Sequence, residues 1–267
     1  MNVASSSTTR DYSHVTETAE ALITSEAVAM MYTRYCLAAS HSRDKRVLEV
    51  GCGSGQGLPY LAKHARVVVG GDYTPQVLLQ ANPTVGQYAQ LVALDGHKLP
   101  FVDGSFDLIL LYEAIYYLAD PRQFLDDCRR VLRPGGMVLI CTANKDRPDF
   151  NPSPHAHRYY SARDLAALLR DHGFSVELFG GFPVSISSLR DLIVFAIRKT
   201  AVALHLIPKG MGSKALLKRL FLGKLRRVSV VTDDMAPYHA PAPISDDSAT
   251  TRFKVLYAVA KLLGPSA

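Results

Sequence analysis

Polar and apolar positions recur along this chain with two different periods. Ser25–Ser40 places Val28, Met31, Tyr32, Tyr35 and Ala39 at helical spacing, which predicts an amphipathic helix. Arg46–Val50 is a short β-branched run that stops at glycines, and Ser54–His64 follows as a helix. Arg66–Gly71 reads as a second strand ended by Asp72, after which Thr74-Pro75 opens a helix with Pro at its first position. Leu91–Leu94 and Asp107–Leu111 are apolar runs of strand length. Pro121–Leu132 carries Phe124, Leu125, Cys128, Val131 and Leu132 on one helical face and ends before Pro134-Gly135-Gly136. Met137–Cys141 is apolar throughout, as a strand buried on both faces should be. Ser161 and Asp164 have the spacing of a capping box for a helix that runs to Gly173. Phe174–Phe179 and Phe253–Ala260 complete the strands.

Strands alternating with helices of this length predict an α/β fold, a doubly wound and mostly parallel sheet covered on both faces. About seventy further residues lie between the last two strands. In them, 189–208 and 214–228 have apolar faces at helical spacing with Lys and Arg between, and 233–252 is a Pro-rich polar strap.

Composition narrows the class. A chain of 267 residues can bury one sizeable core. It contains no apolar stretch long enough to span a bilayer, and its N-terminus lacks the basic start and apolar run of a secretory signal. Cys36, Cys52, Cys128 and Cys141 lie far apart, which argues against a disulfide framework or bound metal and fits a reducing cytoplasm. The net charge of +6 is concentrated: ten Lys or Arg fall between Arg190 and Arg227, against the single acid Asp191. The first reading of that segment is a helical cap with solvated basic edges. Peripheral contact with an anionic membrane through 189–228, or attraction of an anionic substrate, are the alternatives. Nucleic acid is disfavoured, because the basic residues alternate with Leu and Ile and not with exposed aromatics.

The chemistry gathers at the ends of the first strands. Val47–Gly55 is an apolar strand that breaks into Gly51, Gly53 and Gly55 just before a helix, where a ligand can approach bare backbone. Asp72 ends the next strand, where a carboxylate can accept hydrogen bonds from both hydroxyls of a ribose. A dinucleotide loop wants G-x-G-x-x-G or A, but Gln56 stands at the last position. The G-x-G-x-G pattern favours a nucleoside ligand without a pyrophosphate.

In LEVGCGSG (48–55), GGD (70–72), LDGHKLPFVDGSFDLILLYEAIYYL (94–118) and RRVLRPGGMVLI (129–140), the chain resembles the class I S-adenosylmethionine-dependent methyltransferases. The last two runs are most like the branch of ubiquinone, menaquinone and small-molecule enzymes. The resemblance covers Lys45 to about Phe179, with Phe253–Ala260 as the family's antiparallel last strand. It implies a seven-stranded Rossmann-like sheet and S-adenosylmethionine as cofactor, leaving as S-adenosylhomocysteine. Divisions follow: 1–44 as an N-terminal helical lid near Met30-Met31-Tyr32, 45–184 as the cofactor core, 185–252 as the insertion and strap, and 253–267 as last strand and tail.

The resemblance also implies roles. Glu49 with Gly51, Gly53 and Gly55 would face the methionine end. Asp72 would hold the ribose, Tyr73 would pack beside the adenine, Asp95 would accept its amino group, and Gly96 would offer a backbone amide. Tyr112 would bring a backbone oxygen near the methionine ammonium. Catalytic candidates are His97, His155, His157 and Tyr116, placed after strands whose ends open towards ligand, with Tyr117, Tyr159 and Tyr160 as neighbours. The expected reaction is methylation of a small molecule at oxygen, nitrogen or carbon. A membrane-associated lipid or prenylated ring is one alternative acceptor, and a partner protein that binds cofactor without turnover is another class. The oligomeric state is not indicated.

Overall fold

The structure is a computed structural model describing residues 22–184, 225–246 and 250–264. In chain order the main elements are β1 (Leu22–Thr24), α1 (Ser25–Ser40), β2 (Arg46–Val50), α2 (Leu58–Ala62), β3 (Val67–Asp72), α3 (Pro75–Val85) and β4 (Gln90–Ala93). They continue with β5 (Phe106–Tyr112), a single 3₁₀ turn at Ile115–Tyr117, α4 (Pro121–Val131), β6 (Leu132–Ala143), α5 (Ala162–Asp171) and β7 (Phe174–Pro183). β8 (Leu225–Arg227), β9 (Ala242–Pro243) and β10 (Phe253–Leu262) close the series.

The sheet order is β4-β3-β2-β5-β6-β10-β7-β9. β4 through β6 are parallel, and β10 runs antiparallel between β6 and β7. Eight strands stand where seven were expected, because β9 adds two residues to β7 at Phe179 and Gly180. Pro243 is tolerated there because an edge strand need not donate on its outer side. The chain winds outward from β2 to β4 and then returns to start β5 on the other side of β2. Such a reversal leaves a crevice beyond the carboxyl ends of β2 and β5.

Side-chain alternation divides the core into two layers. In β5, Ile109 and Leu111 join Phe124, Leu125 and Cys128 of α4 and Leu165 and Leu169 of α5. Leu108, Leu110 and Tyr112 face the opposite way, towards Tyr32 and Tyr35 of α1, Leu58 and Leu61 of α2 and Leu78 of α3. The same period-two rule puts Leu48 and Val50 of β2 in the first layer and Val47 in the second. Glu49, between them, therefore points towards α1.

Helix ends obey local chemistry. The Thr24 side chain caps α1 by accepting from Ala27 N–H. Asp120 caps α4, with Pro121 behind it. Ser161 and Asp164 form the expected reciprocal box on α5. α2 is shorter than the 54–64 expected, because Gly53 and Gly55 adopt positive φ (56° and 70°) and hold the preceding residues as a loop. β6 begins earlier than expected and absorbs Pro134-Gly135-Gly136, with an irregular register against β5 between Phe106 and Leu108.

The expected helices of 189–228 lie outside the described residues except at their end. There Leu225–Arg227 is strand β8, paired antiparallel with β1, and not helix. Residues 233–246 of the segment read as a strap are described, and they contact α1 and α5. Asp234 N–H donates to Tyr32 Oη and His239 N–H to Thr33 Oγ1, and Arg170 pairs with Asp246. Among the described residues no helix is long and apolar enough to cross a membrane.

Candidate active site

A cavity of about 660 Å³ opens beyond the carboxyl ends of β2 and β5, within the range of small-ligand sites. Its floor is the glycine loop. Gly51 and Cys52 N–H both donate to Gly71 O (2.8 and 3.0 Å), which folds the end of β2 back against β3. Gly51 has φ 72°, and a Cβ there would stand 3.0 Å from Ala114 Cβ. The loop thus requires glycine for its conformation and for its fit against the turn after β5.

Asp72 is 6% exposed and lines the cavity. Gly53 N–H donates to its Oδ2 and Thr74 N–H to its Oδ1, each at 2.9 Å. Burial pushes its carboxyl above the usual range, partly offset by those backbone donors. These backbone donors fix the orientation of the carboxylate at the cavity wall. Next along the wall, Asp95 Oδ1 accepts from His97 N–H (2.9 Å), while Gly96 is packed near Leu118. Tyr73 is 41% exposed at the same rim.

Glu49 and Tyr112 lie at the other side of the reversal point. Glu49 is buried and its Oε1 accepts from Tyr35 Oη at 2.7 Å. Tyr112 is also buried, with its hydroxyl donating to Arg34 O at 2.9 Å. Burial and nearby thiol and carboxylate groups hold that phenol well above its usual range, so it acts as a donor. Acids and bare glycine backbone line one cavity, a donor set whose chemistry fits S-adenosylmethionine.

The catalytic candidates separate. His97 lines the cavity, but Asp95 Oδ1 holds its Nδ1 at 2.7 Å and its Nε2 accepts from Asp120 N–H at 3.2 Å. Both ring nitrogens are engaged, so the side chain works as a clip between two loops and does not offer a free base. His155 is exposed and does not line the cavity. His157 does line it, and its backbone N–H donates to Tyr116 O at 2.7 Å. Tyr116 lines it too, but its phenol donates to Glu113 Oε2 at 2.9 Å. Burial and the Glu113 charge raise that phenol's pKa, which keeps it protonated.

Several cavity residues escaped the sequence reading. Glu113 follows β5 as Asp72 ends β3, so an acid at a strand end was the available signal. It adopts φ 50°, rare outside glycine, with its N–H on Cys141 O at 2.8 Å. Strained positions of this kind concentrate at functional sites. Arg34 is 7% exposed within the apolar stripe of α1, and a charge on that stripe was its signal. Arg147 and Lys254 also line the cavity, paired respectively with Asp149 (3.5 Å) and Glu26 (2.5 Å). Their sequence neighbourhoods carried no signal, since each meets the cavity through tertiary folding.

Comparison with known proteins follows the same lines. A methyltransferase-domain family model matches residues 48–140. The chain is 37% identical over 139 residues to a protein of Mycolicibacterium smegmatis named as a probable S-adenosylmethionine-dependent methyltransferase, covering 49% of this chain and 52% of that protein. It is 31% identical over 126 residues to a demethylmenaquinone methyltransferase of Tropheryma whipplei, covering 47% and 53%. An O-methyltransferase of Aspergillus nomiae is 33% identical over 155 residues, covering 52% and 68%. The chain thus spans about half the length of the first two relatives. Among solved structures, the YcgJ protein of Bacillus subtilis shares the fold, with a TM-score of 0.57 at 16% identity over 86% of this chain and 98% of that one. Matched motifs, the reversal of strand order and the acid-lined cavity meet in one assignment: the chain belongs to the class I S-adenosylmethionine-dependent methyltransferases.

Proposed function

We propose that this chain transfers the methyl group of S-adenosylmethionine to a small-molecule acceptor in the cytoplasm. The observation that carries this reading is a single cavity running from Asp72 and Asp95 to Tyr116, Arg147 and His157. When bound, the cofactor supplies an electrophilic methyl group on its sulfonium. The chain's own contribution is placement. Asp72, Asp95 and the glycine loop hold the nucleoside, and Glu49 faces the amino-acid end. The acceptor lies beyond Tyr112 against Tyr116 and Tyr117, whose rings meet edge to face at 4.6 Å, with Tyr159 stacked on Tyr116 at the same distance. That aromatic wall suits a planar, largely apolar body. Holding two reactants in register can lower a barrier by about 7–11 kcal/mol.

For a hydroxyl or protonated amine acceptor, Glu113 replaces the histidines as the group that takes the proton. Its carboxylate lines the cavity and is oriented by the Tyr116 phenol.

The test combines purified protein, methyl-labelled S-adenosylmethionine and fractionated extract of the source organism. Label in aqueous small molecules is the expected result. Label in the organic phase would transfer the activity to a lipid or prenylated ring. Cofactor binding without any labelled product would replace the enzyme by a cofactor-binding partner protein.

A further inference from the structure

The cavity changes sign along its length. Asp72 and Asp95, after β3 and β4, line one end, while Arg147 after β6 and Lys254 at the start of β10 line the other. Each cation is held from behind. Asp149 lies 3.5 Å from Arg147 and Glu26 lies 2.5 Å from Lys254, and neither of those acids lines the cavity. The wall offered to an acceptor at this end is therefore cationic.

Arg147 is built as an anchor. Its side chain is 24% exposed, and its Nε is buried without a hydrogen bond among the described residues. A guanidinium has a fork of donors that meets a carboxylate in two parallel bonds. The backbone beneath it is fixed by Asn144, which is fully buried. The Asn144 carbonyl accepts from Arg147 N–H at 3.5 Å, and its Nδ2 donates to Phe253 O (2.8 Å) and Thr250 O (2.7 Å). One side chain thus ties the Arg147 turn to the start of β10.

Aromatic rings connect this cation to Glu113. The Arg147 guanidinium carbon lies 5.9 Å from the Phe150 ring centroid, and Phe150 meets Tyr159 edge to face at 4.7 Å. Tyr159 stacks on Tyr116, whose phenol holds Glu113. Burial raises the pKa of the Tyr159 phenol and the Ser153 amide lowers it; behind these, Glu113 adds and Arg147 subtracts. Acid and cation therefore both act on one ring.

We infer that the acceptor is an aromatic hydroxy acid, with its carboxylate on Arg147 and its hydroxyl at Glu113. On transfer, the hydroxyl oxygen bonds to the methyl carbon as the sulfur–methyl bond breaks, its electron pair staying on sulfur, and the hydroxyl proton passes to Glu113. Arg147 binds and orients; it moves no proton. A phenol without the acid would desolvate the guanidinium and leave it unanswered, which selects against neutral acceptors.

This inference rests on the methyltransferase reading above, and the experiment separates the two. Calorimetry on the S-adenosylhomocysteine complex uses para-hydroxybenzoate, para-hydroxyphenylacetate and para-hydroxycinnamate, each beside its neutral amide. At least one acid should bind about 10- to 100-fold more tightly than its amide, as a charge-assisted pair would. Arg147→Met should bring that ratio near unity with amide affinity kept, and Arg147→Lys should keep part of it. In the labelled-extract assay, the wild-type product should be retained by an anion exchanger at neutral pH. Acids that bind no better than amides, a ratio unchanged in Arg147→Met, an equal loss for acid and amide in a variant that melts like wild type, or a labelled product that flows through the exchanger would each overturn it. Failure of wild type to bind S-adenosylhomocysteine, or to label any product, would instead overturn the methyltransferase reading.

Discussion

The Tyr35 hydroxyl donates a 2.7 Å hydrogen bond to Glu49 Oε1, joining the third turn of α1 to the strand that carries the glycine loop. Both side chains are buried, and a buried carboxylate is costly unless its oxygens are hydrogen-bonded. The bond therefore pins α1 over the cavity. Tyr35→Phe removes the donor and leaves the acceptor in place, which should cost about 1–3 kcal/mol. Denaturant unfolding should show a lower midpoint, and calorimetry a weaker affinity for S-adenosylhomocysteine. Unchanged values for both would mean that α1 docks by apolar packing alone.

The Tyr35 ring also depends on Gly57. A Cβ at Gly57 would fall 1.9 Å from ring atoms Cε1 and Cζ, in a buried setting where the ring has little room to retreat. Gly57→Ala should destabilise by about 1–3 kcal/mol, the usual range for overpacking. The double variant Gly57→Ala, Tyr35→Ala should recover part of that loss relative to the sum of the single changes. Strict additivity would argue against the clash.

Asp72 is fixed by Gly53 and Thr74 amides and lines the cavity. Asp72→Ala should lower S-adenosylhomocysteine affinity at least about tenfold, the worth of one charge-assisted hydrogen bond. Circular dichroism should show the fold retained. An unchanged dissociation constant would remove the ribose from this position.

Asp164 links the α5 capping box to Lys145. Burial tends to raise its carboxyl pKa, but hydrogen bonds from Lys145 and Ser161 outweigh that and hold it at about 2. The folded value lies below the unfolded value near 3.9. Its stabilisation is therefore present above about pH 4 and is lost as pH falls towards 2. Asp164→Asn should flatten the acid limb of a stability–pH curve in that window. A limb of wild-type steepness would place acid sensitivity elsewhere.

Glu113→Gln keeps the shape of the side chain and removes the proton acceptor. Product formation in the labelled-extract assay should fall by about 10²- to 10⁴-fold, the usual worth of a general base. Binding of S-adenosylhomocysteine should stay within a few-fold of wild type. Full activity would indicate an acceptor that needs no deprotonation.

The order of strands and helices from β2 to α5 was readable because each signal is local. Alternation of period two, helical stripes, caps at Asp120 and Ser161, and three glycines after an apolar strand all lie within a few residues of what they specify. Asp72 was readable for the same reason, being an acid at the end of a β-branched strand. The partners of the His97 ring, Asp95 and the Asp120 amide, were only half readable, because the second lies far along the chain.

Local pattern was thus sufficient for the parallel α/β core, for the glycine loop and for the position of its acid partners, since strand ends and turns are set by adjacent backbone and side chains. Which side chains complete the cavity was settled by packing. Arg34, Glu113, Arg147 and Lys254 come from α1, the end of β5, the segment after β6 and the start of β10. The winding of β10 between β6 and β7, and the seating of α1 by Tyr35 on Glu49, bring them to one chamber. Those contacts join residues remote in sequence, and only burial of the two apolar layers fixes their distances.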